Sequence, residues 1–265
     1  MSGAMRPPNP IVLLDESVAL LRAAPASAWL AWAVGSLPFA LGVIACITEM
    51  TSSADAPAAL PGHALGVAVL YLWMVSWQTV FSRSLWPALT REPRGRALPL
   101  MTAMRTQALL WSTALVLLPA SLLSVAGFPW AVAFYYNAAA FPYGDREPAL
   151  REIIRYASAR ASTWHMSAAF ALSITCIVWL VALVNSAVLV IGGPLLLRTL
   201  TGQESVFTRD IQGMFNTTLL ASVLTMACLA VDPLLRAMFV IRCFRVDAIR
   251  TGIDLKAAVA RSAAG

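Results

Sequence analysis

The chain has 265 residues, 59% of them hydrophobic and 12% charged, with a mean hydropathy of +0.73. Soluble domains carry roughly 25% charged residues, so this composition excludes an ordinary water-soluble globule and sets most side chains against lipid or one another. The formal net charge is +6, but the arginines cluster in short segments between apolar runs. That is the pattern of cytoplasmic loops in a membrane protein rather than of a nucleic-acid-binding face.

Residues 1–10 are polar and proline-rich, and the first apolar stretch is interrupted by Asp15, Glu16 and Arg22. It is therefore no signal-peptide core. Over 11–24, Ile11, Leu14, Val18 and Leu21 recur at helical spacing, with Val12 on the flank. This predicts an amphipathic helix too short and too charged to span. Pro25 ends it and Ser27 is placed to cap the next helix. Residues 28–50 form a spanning run with Trp29 and Trp32 near one interface, a bend at Pro38 and Glu49 at the far end. A polar loop, 51–62, leads to the return span 63–81. Arg83, Arg91, Arg94 and Arg96, with Trp86 as an interfacial anchor, form the first basic loop.

A second amphipathic piece, 98–107, carries Arg105. Residues 108–125 then run outward, Gly127-Phe128-Pro129 turns, and 130–143 returns. This hairpin is short for two passes of roughly 20 residues each, so 108–143 reads either as two spans or as one tilted span with a re-entrant piece. The next segment, 144–163, contains Arg146, Arg151, Arg155 and Arg160, and within it Leu150, Ile153, Ile154 and Ala157 mark a third amphipathic helix. Trp164 and His165 open the span 166–191, which Gly192-Gly193-Pro194 is expected to break. A mixed external segment, 195–215, holds Arg198, Glu204, Arg209 and Asp210. The last pass is 217–241, followed by a polar tail.

The expected fold is an all-α polytopic transmembrane bundle of about six spans, one integral membrane domain over 1–265. An amphipathic helix precedes each hairpin in three parallel units, 11–81, 98–143 and 149–241. Of the 19 Lys and Arg residues, only Arg198 and Arg209 fall in the segments placed outside and Arg236 within a span. That asymmetry puts both termini in the cytoplasm.

The stretch Ala230-Val231-Asp232-Pro233-Leu234-Leu235-Arg236 carries two charges inside the last span. Charges at that depth are costly and mark a function or a specific partner. Asp232 before Pro233 reads as a helix cap followed by a proline at the first helical position, so a break or sharp kink with a second half-helix starting at Pro233 is expected. Arg236 stands four residues on, within reach of Asp232. Gln78, Asn137 and Asn185 are the other intramembrane polar candidates. Such residues serve either helix-to-helix hydrogen bonding or a polar pathway. Trp73, Trp77 and Trp111 read as anchors or core.

No phosphate-binding loop, dinucleotide fingerprint, zinc-protease motif or nucleophile elbow is present. Cys46, Cys176, Cys228 and Cys243 form no CxxC pair, and His63 and His165 share no ligand motif. The expectation is a protein that is not an enzyme, with no cofactor and no metal.

At the carboxy-terminal end, Pro233-Leu234-Leu235 leads through Val240-Ile241-Arg242 to Asp247-Ala248-Ile249-Arg250-Thr251-Gly252-Ile253-Asp254-Leu255. At the other end, Leu14-Asp15-Glu16 runs on to Leu20-Leu21-Arg22. This layout resembles bacterial multi-pass proteins similar to the glycerophosphoryl diester phosphodiesterase membrane-domain family. There, a proline in the last span precedes an arginine and a Glu-Gly-x-Asp-Leu-like element; here Thr251 stands in place of the acid. The resemblance implies a non-catalytic module of the bacterial cytoplasmic membrane. No phosphodiesterase barrel is present, so that activity is not carried over. Two function classes remain. The expected one is a scaffold or accessory subunit of a membrane assembly, with the lipid bilayer and membrane or cytoplasmic proteins as partners and no nucleic acid. The alternative is a transporter or lipid-handling protein with a polar site at Asp232 and Arg236. A filled bundle favours the first and an open cavity the second.

Overall fold

The computed structural model describes residues 9–53, 56–90, 100–124, 127–142, 148–202 and 216–252. Arg91, Arg94, Arg96, Arg146, Glu204, Arg209, Asp210 and the 253–255 end of the carboxy-terminal motif lie outside them. Among the described residues every element is a helix.

Helix α1 (Pro10–Arg22) starts where the Asn9 side chain accepts from the Ile11 amide, with Pro10 at the first position. Helix α2 (Ala26–Ser52) begins directly after Pro25, so Ser27 lies inside it rather than capping it. Helix α3 (Ala56–Ser84) takes in most of the expected 51–62 loop. After a one-residue turn it continues as α4 (Trp86–Thr90). Helix α5 (Leu100–Ser121) merges the expected 98–107 and 108–125 pieces. It is followed by α6 (Gly127–Ala139), α7 (Leu150–Ser162), α8 (His165–Thr201) and α9 (Thr217–Thr251).

Two expected breaks do not occur. Helix α8 runs through Gly192-Gly193-Pro194 and ends at Gly202, whose φ of 68° is a left-handed cap. Helix α9 runs through Pro233 to Gly252, φ 65°, so no half-helix starts at Pro233. The reason lies in the apolar setting. A broken helix exposes several backbone donors and acceptors that lipid cannot satisfy, whereas a proline in an intact helix forfeits one hydrogen bond.

Four segments are long and apolar enough to cross a membrane: Ala26–Ser52, Ala56–Thr90, Met166–Thr201 and Thr217–Thr251. This is the architecture of a membrane-embedded helical protein. Helix α9, with 35 residues, rises about 52 Å, well beyond a hydrocarbon core of about 30 Å. Helix α6, with 13 residues, rises only about 20 Å. On α8, Ile177, Val181, Val184 and Val188 are exposed along one face, as expected of a wall turned to lipid.

Helix α9 is the centre. It packs against α1, α2, α6 and α8. Met238, Phe239, Val240 and Ile241 are all buried, so at that level the helix is enclosed on every side. Met238, Val240 and Ile241 join a cluster with Leu13, Phe81 and Leu85, while Phe239 joins Leu110, Phe134 and Ile153. Helix α1 presents Leu13, Ser17 and Leu20 inward, while Leu14, Val18 and Leu21 pack at the margin and Ile11 is exposed. The inward stripe is thus shifted one position from the one the sequence suggested, because α1 rests on α9 as well as on any lipid surface.

The α2–α3 hairpin is held close by glycine. A Cβ on Gly35 would lie 2.5 Å from Trp77 Cβ and 3.3 Å from the Met74 carbonyl oxygen. One on Gly42 would meet only the Leu70 side chain, with Cδ1 at 2.4 Å. Gly to Ala in a helix gains up to about 1 kcal/mol in propensity, while overpacking costs about 1–3 kcal/mol. Leu70 can rotate away, but Trp77 Cβ is fixed to the backbone. Gly35→Ala should therefore lower the thermal unfolding midpoint in detergent, and Gly42→Ala should leave it unchanged or raise it. Equal midpoints for the two variants would contradict the close approach at Gly35.

Candidate functional site

Asp232 and Arg236 stand one turn apart on α9, and Arg236 Nε donates to both carboxylate oxygens at 3.0 Å. Gln78 of α3 joins them. Its Nε2 donates to Asp232 Oδ2 at 3.1 Å, and its Oε1 accepts from Arg236 Nη2. Only this orientation of the amide satisfies both charges at once. From α2, Trp32 Nε1 donates to Asp232 Oδ2 at 3.0 Å, and Ser36 Oγ accepts from Gln78 Nε2 at 3.2 Å. Arg236 is 7% exposed and Gln78 2%. The carboxylate thus receives three side-chain donors from three helices, which offsets the cost of holding it out of water.

Gln78, Asp232 and Arg236 form one end of a partly open cavity of about 390 Å³ lined by α2, α3, α5, α6 and α9. Phe39 and Val43, Tyr71 and Met74, Trp111, Tyr135, and Leu224 supply its apolar and aromatic walls. The rings form a chain: Phe39 to Tyr71 at 5.7 Å, Tyr71 to Trp111 at 5.3 Å, and Trp111 stacked on Tyr135 at 4.7 Å. The Arg236 guanidinium lies 5.1 Å from the Tyr136 ring centroid, within cation–π range. Gln107 of α5 also lines the cavity and donates to Thr79 Oγ1 at 2.9 Å. Phe39 and Val43 lie two to three turns beyond Trp32 along α2. The space is therefore polar at one end and apolar along its length.

A second polar cluster ties α7 to the end of α9. Arg160 is ion-paired with Asp247, and Tyr156 donates its hydroxyl to Asp247 Oδ2 at 3.1 Å. Burial pushes the Tyr156 phenol well above its ordinary range, keeping it protonated as that donor. Arg242 is 2% exposed and reaches the turn between α7 and α8, donating to the Trp164 carbonyl at 3.2 Å. Trp164 has φ 54°, a left-handed conformation a bulky side chain rarely adopts, so Arg242 supports a strained corner. Beside this cluster a cavity of about 440 Å³ is lined by Glu152, Arg155, Tyr156, Arg160 and Arg250.

Of the five candidates from the sequence, Gln78, Asp232 and Arg236 converge. Asn137 is buried elsewhere, accepting from the Cys243 thiol at 3.2 Å and donating to the Ala157 carbonyl at 3.5 Å. Asn185 is exposed and donates to the Val181 carbonyl of its own helix at 2.8 Å. Sequence reasoning missed Trp32, Ser36, Gln107, Tyr71 and Tyr136. One signal was present: Trp32 and Ser36 are four residues apart, so they share a helix face. No family model matches the chain, nor does any curated protein or solved structure.

Removing one partner of a buried ion pair costs about 3–5 kcal/mol, because the other charge is stranded. Asp232→Asn and Arg236→Leu should each lower the unfolding midpoint markedly, and the double variant should lose less than the two effects summed. Additive losses would mean that the two residues act independently.

Proposed function

We propose that the chain is a non-catalytic membrane protein of the transporter or lipid-handling class. In this reading it holds an amphiphile in the cavity above Asp232 and Arg236. The observation that carries this is the shape and chemistry of that cavity. Its volume falls within the usual range for small-molecule sites, roughly 300–1,000 Å³, and it combines mostly apolar walls with a few convergent polar groups. A scaffold needs only a filled bundle, and this bundle is not filled at the level where its two intramembrane charges lie.

The setting is a bacterial cytoplasmic membrane with both termini on the cytoplasmic side, as the arginine distribution supports. The α5–α6 hairpin makes two short further passes, giving six, with α1 and α7 lying along the inner surface. Reporter fusions after Thr90 and Gly252 should read inside, and those after Ser53 and Gly202 outside. A fusion after Ser124 should also read outside; an inside signal there would reduce the count to four.

The site itself is tested by filling it. Cys228 lines the cavity with an exposed side chain, so Cys228→Trp should occupy the space at small cost to folding. Mass spectrometry of protein purified in mild detergent should find a retained lipid-like molecule on the wild type. It should be depleted at least roughly tenfold on the variant, about 1.4 kcal/mol of lost binding. Identical retention in both would count against the cavity as the binding site.

A further inference from the structure

Resting on the amphiphile reading of the cavity, we infer that the head group of the bound molecule is uncharged and oxygen-bearing: a hydroxyl or ester, as in an acylglycerol or a long-chain alcohol.

Charge balance comes first. Asp232 and Arg236 are the cavity's only carboxylate and guanidinium among the described residues, and they neutralise each other through a two-oxygen contact. A cationic or anionic head would bring an uncompensated charge into the membrane interior. On insertion scales that weakens binding by roughly two orders of magnitude. A carboxylate head would also have to compete with Asp232 for the same guanidinium.

Hydrogen-bonding capacity points the same way. Arg236 commits Nε to Asp232 and Nη2 to Gln78, leaving Nη1 without a hydrogen-bond partner among the described residues. The hydroxyls of Tyr71 and Tyr136 line the cavity and are likewise unpartnered there. Gln107 gives its N–H to Thr79, and its carbonyl oxygen has no partner among the described residues. The site therefore offers one donor of a neutralised ion pair, two phenol hydroxyls and one amide acceptor. A hydroxyl can use both kinds, and an ester carbonyl can use the donors. A plain hydrocarbon end filling the cavity would strip water from these groups and leave them unmet, which is costly, so a head that meets them is selected over it. Trp111, Met74 and Val43 then flank the alkyl chain behind that head.

The test uses the full chain in mild detergent and three probes that share an oleyl chain: monooleoylglycerol, oleyl sulfate and oleyl trimethylammonium. Monooleoylglycerol should bind, with the two permanently charged probes at least tenfold weaker. Tyr136→Phe and Gln107→Leu should each weaken monooleoylglycerol by roughly tenfold, about 1.4 kcal/mol. Tyr71→Phe serves as a further variant, and unfolding midpoints confirm that each is folded. Tight binding of the sulfate or the ammonium probe, with monooleoylglycerol weaker, would overturn this inference and leave the amphiphile reading standing. So would monooleoylglycerol binding that none of the three substitutions alters. Failure of every probe to bind, or binding that Cys228→Trp leaves untouched, would overturn both.

Discussion

A carboxylate and a guanidinium held inside a membrane bundle constrain everything around them. Neither Asp232 nor Arg236 is tolerable there alone, and their mutual attraction barely repays their desolvation. The shortfall is made up by neutral donors and acceptors from other helices: Trp32 and Ser36 on α2 and Gln78 on α3. Those groups reach Asp232 only if the α2–α3 hairpin lies directly against α9. Gly35 allows the two hairpin helices to approach closely enough beside Trp77. The polar network therefore sets the mutual placement of three helices, and the cavity is the space left where their apolar walls diverge beyond it.

The same helix organises its surroundings a second time, three turns further on. Arg242, Arg245 and Asp247 of α9 reach the α7–α8 corner, Glu16 of α1 at 2.5 Å and Arg160 of α7. The pair with Glu16 is substantially exposed and contributes little by itself. The pair with Arg160 and the contact of Arg242 with the Trp164 carbonyl are largely buried and cannot be lost cheaply. Helices α1 and α7 are held by their buried apolar stripes, Leu13 and Leu20 on one and Ile153 and Ala157 on the other, and the charged contacts tie them to α9.

Much of this was legible in the sequence. Low charge and long apolar runs announce membrane helices, and the spacing of Asp232 and Arg236 is enough to anticipate their pairing. Two kinds of feature escaped. Helix ends did, because Gly192-Gly193-Pro194 and Asp232-Pro233 are breakers in water, where a freed backbone group is solvated, and not where it would face lipid. Partners from distant segments did as well. Nothing near Trp32, Gln107 or Tyr136 in the chain says that the first reaches Asp232, the second Thr79 and the third Arg236, since such meetings are a property of packing. Asn137 and Asn185 show the converse: two similar residues in similar apolar runs, one a buried tie between helices and the other satisfied within its own turn.

The placement of the two charges after the α2–α3 hairpin bears on how the protein is made. A translocon sees α9 after the α2–α3 hairpin, and each of its charges costs roughly 2.5–3.5 kcal/mol at the centre of an inserting helix. By then Trp32 and Gln78 are already in the bilayer on the first hairpin, and N-terminal elements fold first during synthesis. The i to i+4 spacing lets Asp232 and Arg236 screen each other during entry, before Gln78 is reached. The order in which the ribosome delivers these helices is thus the order in which the chemistry of the last one requires them.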